Sequence, residues 1–290
     1  MIKNLVITGG GLKTFPFVGC FQYLEETNQL APIRNYYAAS IGSIYALMLC
    51  LKYTSKEIKH VLINFDIEGM FNDIDIDNFL ENYALCDVQK YRRFIELLIT
   101  YKVVGKENMT LSELHEFTNK NLTCTSISLG KRKLMYINHE THPDMKVVDM
   151  ILMSTAIPGM FPYINTGNDC YIDGAMIGNF PVDLIPKEDI SATLCLRITM
   201  LFEEKTEAPT FDNVYEYFKY IYMTVAYSME DTRGFSIINV PIEEKYNNDV
   251  VSISMSKEEM EAAITCGYNV TKSHFNNHKH TVGLQRRNSL

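Results

Sequence analysis

At 290 residues the chain can bury a full core, and its 47% hydrophobic and 21% charged residues are ordinary for a globular protein. A net charge of −8 argues against nucleic-acid binding, which needs a basic face. The seven cysteines (20, 50, 86, 124, 170, 195 and 266) contain no C-x-x-C pair and read as reduced thiols, not as a disulfide or zinc framework.

Leu5-Val6-Ile7-Thr8 ends in Gly9-Gly10-Gly11, which predicts a buried strand entering a tight turn. Pro16 suits the first turn of a helix, along which Phe17, Phe21 and Leu24 share one side. Arg34 to Ala39 supplies a second strand, followed by an apolar helix to about Leu51. Strand, helix, strand, helix is the opening of a parallel α/β sheet. The pairs Thr54/Glu57, Thr110/Glu113 and Ser256/Glu259 have capping-box spacing and predict helices near 55–65, 111–119 and after 256. Tyr91 to Tyr101 also reads as helix, and 121–128 with 133–138 as a hairpin around Leu129–Arg132. A helix from about Met145 to Thr155 stops at "IPGMFP", residues 157–162. Ala192 to Thr199 is a further strand, Phe211 to Met229 an amphipathic helix, and Val250 to Met255 a strand. Residues from 281 onward read as a loose tail. No repeat or linker interrupts the chain, so one domain is expected.

Three readings compete for "TGGGLKT", residues 8–14. A Walker loop fails because Leu12 separates Gly11 from Lys13, and a dinucleotide G-x-G-x-x-G fails where Thr14 replaces the last glycine. An oxyanion hole remains, because consecutive glycines let backbone N–H groups converge on developing negative charge. A tight turn with no ligand is the plain alternative.

Ala38-x-Ser40-x-Gly42 is a variant of the G-x-S-x-G nucleophile elbow, in which small neighbours are needed because the strand-to-helix turn brings their backbones against the serine. A serine capping a buried helix fits the same residues. For a base, His274, His278 or His280 could complete an α/β-hydrolase triad, but Ser40 follows only one βα unit and these histidines lie at a polar helix end. Asp173 in "YIDGAMIGNFPV" is the other candidate, able to take the serine proton directly if it is desolvated and close. Asp-Gly is also a common surface turn.

Taken together these segments resemble the patatin-like phospholipase family. "GGGLK" resembles the family's oxyanion segment, "AASIG" its elbow, "STAIPGMFP" (154–162) its A-x-A-x-P-x-x-F-P stretch, and "DGAMIGNFP" (173–181) its D-G-A/G…N-x-P segment. The order is the family's, over residues 4–194, and the compact layout is similar to that of short relatives encoded by large DNA viruses. The resemblance implies a three-layer α/β fold with a mainly parallel sheet flanked by helices. Residues 4–194 would be the catalytic region, 195–280 would complete the same domain, and 281–290 would form a flexible tail.

It also implies a lipid acyl hydrolase of phospholipase A or lysophospholipase type. Ser40 would be the nucleophile and Asp173 the proton acceptor, in a dyad without histidine. Gly9, Gly10, Gly11, Leu12 and Lys13 would form the oxyanion segment, with Gly10 and Gly11 the main donors. Ala38 and Gly42 would flank the elbow, and Gly174 and Ala175 the base. Two residues depart from the family pattern: Thr14 in place of the last glycine, a restriction if that position needs positive φ, and Ala38 in place of the elbow's first glycine. They leave a catalytically inactive lipid-binding or scaffolding relative as the alternative.

A Ser–Asp mechanism needs no metal or cofactor. "DIDIDN" (73–78) hints at a calcium loop but lacks the required Gly and Glu positions. The expected partner is a phospholipid or other glycerolipid ester, reached by transient contact with a membrane surface, for which the Phe211–Val225 stripe is a candidate. No signal peptide is visible, and the longest apolar run, Ile41 to Leu51, falls short of the roughly 18 residues of a membrane span. The expected setting is intracellular and cytoplasmic.

Overall fold

The computed structural model describes residues 1–64, 83–84, 86–199, 210–211, 217, 220–222, 224–225, 234–242 and 255–287, with side chains as far as Asn277 and excluding that of Leu12. The candidate calcium loop at 73–78 and the strand expected at 250–255 lie outside the described residues, apart from Met255, and so does most of the helix expected at 211–229.

The aliphatic run at the start of the chain forms β1 (Asn4–Ile7), buried throughout. It is flanked by parallel β2 (Asn35–Ala38) and β7 (Thr193–Thr199). Beyond these, β3 (Asn121–Ser128) pairs parallel with β2, and β8 (Ser236–Pro241) pairs parallel with β7. Five parallel strands thus run in the order β3-β2-β1-β7-β8. β4 (Lys133–Ile137), β5 (Ile164–Asn165) and β6 (Cys170–Asp173) add an antiparallel end. β8 has no counterpart among the strands expected from sequence. Among the described residues it is an edge strand, where Pro241, lacking an N–H, is tolerated.

Alternation along the strands divides the core. Leu5, Ile7, Tyr36, Ala38, Leu194, Leu196 and Ile238 join the large cluster with the helices. Val6 and Cys195 face the other way onto Phe180, Val182 and Ile185, with Tyr37 and Ile237 packed against them. At the start of the strands a row of amides crosses the sheet. Asn121 donates to Asn35 Oδ1 at 2.7 Å, Asn35 to Asn4 Oδ1 at 2.7 Å, and Asn4 to Thr193 Oγ1 at 3.0 Å. The row joins residues already opposite one another in register, satisfying polar groups at the buried end of each strand.

Three helices open on the capping boxes that the sequence places, and a fourth opens on its proline. α1 (Pro16–Glu26) starts at proline, and α2 (Gly42–Cys50) is buried at every residue. α3 (Ser55–Asn64) and α5 (Leu111–Thr118) carry the two expected capping boxes, with each threonine and glutamate bonded reciprocally. Between these two lies α4 (Val88–Lys102), and α6 (Val147–Thr155) follows the hairpin. The last helix, α7 (Lys257–Arg287), opens on the Ser256/Glu259 box. Where a loose tail is expected from 281, the helical backbone runs on to Arg287; no proline after Pro241 interrupts it.

Along its first turns α7 lies directly on α1. A Cβ added at Gly267 would sit 1.8 Å from the Pro16 carbonyl oxygen, and one at Gly19 1.8 Å from that of Ile264. Two backbones this close leave no room for a methyl group. Gly267→Ala is therefore expected to destabilise the protein by about 1–3 kcal/mol, the usual cost of overpacking, read as a lower midpoint in a thermal melt.

Candidate functional site

The strand layout brings two distant segments to one point. β4 and β6 both pair with residues 126–128 of β3, so they occupy opposite edges of it. β2 shares Cys124 with β4 and must take the other edge, the edge of β6. β2 and β6 therefore approach each other end to end along β3, Ala38 opposite Cys124 and Asp173 opposite Ser126. Two positions along a strand span only about 7 Å. Ser40 turns off the end of β2 into that gap.

Ser40 has φ 51°, in the left-handed region that a non-glycine residue rarely adopts. Its surroundings hold it there. Its N–H donates to Ser154 Oγ at 3.2 Å, and its carbonyl accepts from the Ser43 hydroxyl at 2.6 Å and the Ser43 N–H at 2.8 Å. Gly42 lets α2 start directly over β1, since a Cβ there would lie 2.4 Å from the Ile7 carbonyl oxygen. Ala38, in place of the elbow's glycine, is a fully buried strand residue whose methyl group joins the core.

The Ser40 hydroxyl donates to Asp173 Oδ2 at 2.6 Å, both residues being buried. Asp173 Oδ1 accepts the Ala175 N–H at 2.7 Å. Gly174 permits the turn between them, because a Cβ there would meet the Thr125 backbone at 2.4 Å. Burial pushes the Asp173 carboxyl up to about 7, and the bonds from Ser40 and Ala175 restrain the rise. A carboxylate of that basicity in contact with a hydroxyl can accept its proton near neutral pH. Histidine is not in contact with either residue among those described: His274, the late candidate with a described side chain, shares a hydrogen bond with Ser236 at 3.0 Å.

The glycine turn packs against the serine. A Cβ on Gly9 would lie 2.7 Å from Ser40 Cβ and 3.3 Å from Ala175 Cβ. Gly10 (φ 152°) and Gly11 (φ 58°) adopt backbone angles that side chains disfavour, and neither N–H has a partner among the described residues. Gly9, expected among the donors, differs: its N–H donates to Asn179 Oδ1 at 2.7 Å and is used within the protein. Leu12 and Lys13 continue into a single 3₁₀ turn, Gly11–Thr14, with Lys13 buried. Thr14 is no obstacle to this turn. Its φ is not positive, and its hydroxyl closes the turn by donating to Gly11 O at 2.7 Å.

Several residues around the site escaped the sequence reading of roles. Ser43 and Ser154 hold the elbow, and Asn179 holds Gly9; the last two stand inside quoted motifs but carry no local signal of their contacts. Tyr91 of α4 stacks on Phe161 with ring centroids 5.1 Å apart. Its phenol is pushed up by burial, eased by the Thr155 hydroxyl and raised further by the Asp173 charge, so it stays protonated. Among the described residues no cluster of His, Cys, Asp and Glu could hold a metal ion, and no helix is long and apolar enough to cross a membrane.

The family model for patatin-like phospholipases matches residues 5–185. An uncharacterised protein of Acanthamoeba polyphaga mimivirus is 25% identical over 283 residues, 93% of each chain. A "probable lipid hydrolase" of Invertebrate iridescent virus 6 is 25% identical over 228 residues, 75% of each chain. Among solved structures, VipD from Legionella pneumophila superposes with a TM-score of 0.63 at 16% identity, covering 96% of this chain and 67% of that one. The type III effector ExoU superposes with a TM-score of 0.52 at 16% identity; this chain spans 53% of its length. These likenesses establish the expected fold, a mixed α/β architecture with a central sheet flanked by helices.

Proposed function

The chain belongs to the patatin-like phospholipase family, and we propose that it is a lipid acyl hydrolase working through a Ser40–Asp173 dyad. The observation that carries the reading is the 2.6 Å bond between a buried carboxylate and a serine held at φ 51°. Ser40 Oγ attacks the ester carbonyl carbon while its proton passes to Asp173. The Gly10 and Gly11 N–H groups stabilise the oxyanion. Collapse breaks the bond to the alcohol, which leaves with the proton from Asp173. Water then attacks the acyl-enzyme, giving its proton to Asp173, and the fatty acid departs as Ser40 recovers its hydrogen.

The substrate is a phospholipid or related glycerolipid ester presented at a membrane surface. Phe211, Tyr217, Tyr220 and Ile221 are each more than a third exposed, and the Phe211 ring packs edge-on against Tyr217 and Tyr220 at 5.3 and 5.6 Å. Such an exposed aromatic group suits transient interfacial contact.

The test is labelling with a fluorophosphonate probe, together with mass spectrometry of products from a mixed phospholipid extract. Labelling that Ser40→Ala removes, with release of fatty acid, is expected. Lipid binding with neither labelling nor product would instead mark an inactive relative.

A further inference from the structure

Two of the groups that the reaction needs lie far apart in sequence, and one side chain joins their segments. Directly after Asp173 the chain makes a single helical turn, Ala175–Gly178, capped at its far end by Asn179. The turn is anchored at both ends. At its start the Ala175 N–H holds Asp173 Oδ1, and at its end the Gly178 carbonyl accepts the Thr125 hydroxyl at 3.3 Å. Asn179, 9% exposed, then reaches across 170 residues of sequence to take the Gly9 N–H on its Oδ1 at 2.7 Å. We infer that Asn179 is a positioning residue for the reaction, one that pins the glycine turn to the base-bearing turn and so aims the Gly10 and Gly11 N–H groups at the nucleophile.

The physical need is clear from the residues involved. Three consecutive glycines have more backbone freedom to lose than any other tripeptide, so an untethered turn would sample many conformations in which its donors miss the oxyanion. Gly9 is the position at which a tether acts best, since it lies against both Ser40 and Ala175. Its N–H spends its capacity on Asn179, which leaves the next two for substrate. Oxyanion stabilisation depends on donors oriented before the charge develops, so a lost tether lowers kcat without weakening substrate binding.

This role rests on the reading of Ser40 as nucleophile, and the experiment separates the two. Wild type, Ser40→Ala, Asn179→Leu and Asn179→Ala are compared on a short-chain ester across pH, with folding checked by circular dichroism and thermal melting. Asn179→Leu is nearly isosteric and offers no acceptor. It is expected to lower kcat by about 10²-fold, the scale of a misplacement of about 1 Å, with KM within about twofold and the pH midpoint still near that of Asp173. Asn179→Ala, which leaves room for a bridging water, is expected to lose less, and it serves as the test if the leucine variant does not fold. An unchanged kcat in a folded variant would overturn the tether, as would a loss carried by KM or a shifted pH midpoint that routes the effect through Asp173. Ser40→Ala as active as wild type would overturn the nucleophile and the tether together.

Discussion

Ser40→Ala is expected to abolish release of fatty acid, and Asp173→Asn to lower kcat by about 10²–10⁴, the range of general-base help. The asparagine keeps an oxygen for the Ala175 N–H but presents an amide that cannot accept the serine proton. Wild-type kcat/KM should rise with pH and level off above about 7, because Asp173 must be ionised to act as base and burial holds its carboxyl near that value. Below the midpoint the protonated acid still touches Ser40 Oγ but has no capacity for a second proton. The residual activity of Asp173→Asn should lack this limb. Initial rates on a soluble ester between pH 5 and 9 check both points, and a wild-type profile flat across that range would remove Asp173 from the base role.

How much of this was legible depended on whether the signal was local. Gly9-Gly10-Gly11 followed by Pro16 announces a strand, turn and helix, and the three capping boxes place α3, α5 and α7 because each box is complete within four residues. The hairpin of β3 and β4 follows from its turn residues. The residues alone offer Asp173 as one candidate base for Ser40 beside the late histidines, and the family resemblance chooses between them. What joins Ser40 and Asp173 is the length of β3. Eight residues let β2 and β6 meet along one edge, and nothing in either short strand states its partner. The amide row Asn121–Asn35–Asn4 is silent for the same reason: an asparagine opening a strand reads as turn chemistry until its neighbours are known. Asn179 likewise reads as a turn residue after Gly178. Thr14 shows the converse case, where a departure from the motif looks damaging in sequence but its φ carries no positive-angle demand.

Asp173→Asn should also stabilise the folded protein at neutral and alkaline pH, an effect opposite in sign to its effect on rate. The folded carboxyl sits near 7 and the ordinary value is 3.8, so between these pH values the folded state holds a proton that the unfolded state has released. Stability then falls as pH rises through that window, because the chain that binds fewer protons is the unfolded one. Above about 7 the wild type carries the full penalty of a buried charge, held by one hydroxyl and one backbone N–H. Asparagine has no such charge and no such window. The stability advantage of Asp173→Asn over wild type should therefore grow by roughly 2–3 kcal/mol between pH 5 and pH 8, measured by urea unfolding at fixed ionic strength. Ser40→Ala should extend the wild-type decline to higher pH, since it removes the hydroxyl that helps hold the charged form. An advantage that stays constant with pH would mean that Asp173 ionises without strain. A growing one would place the cost of the base where an acyl hydrolase needs it, in a carboxylate kept reactive by the same burial that makes it unstable.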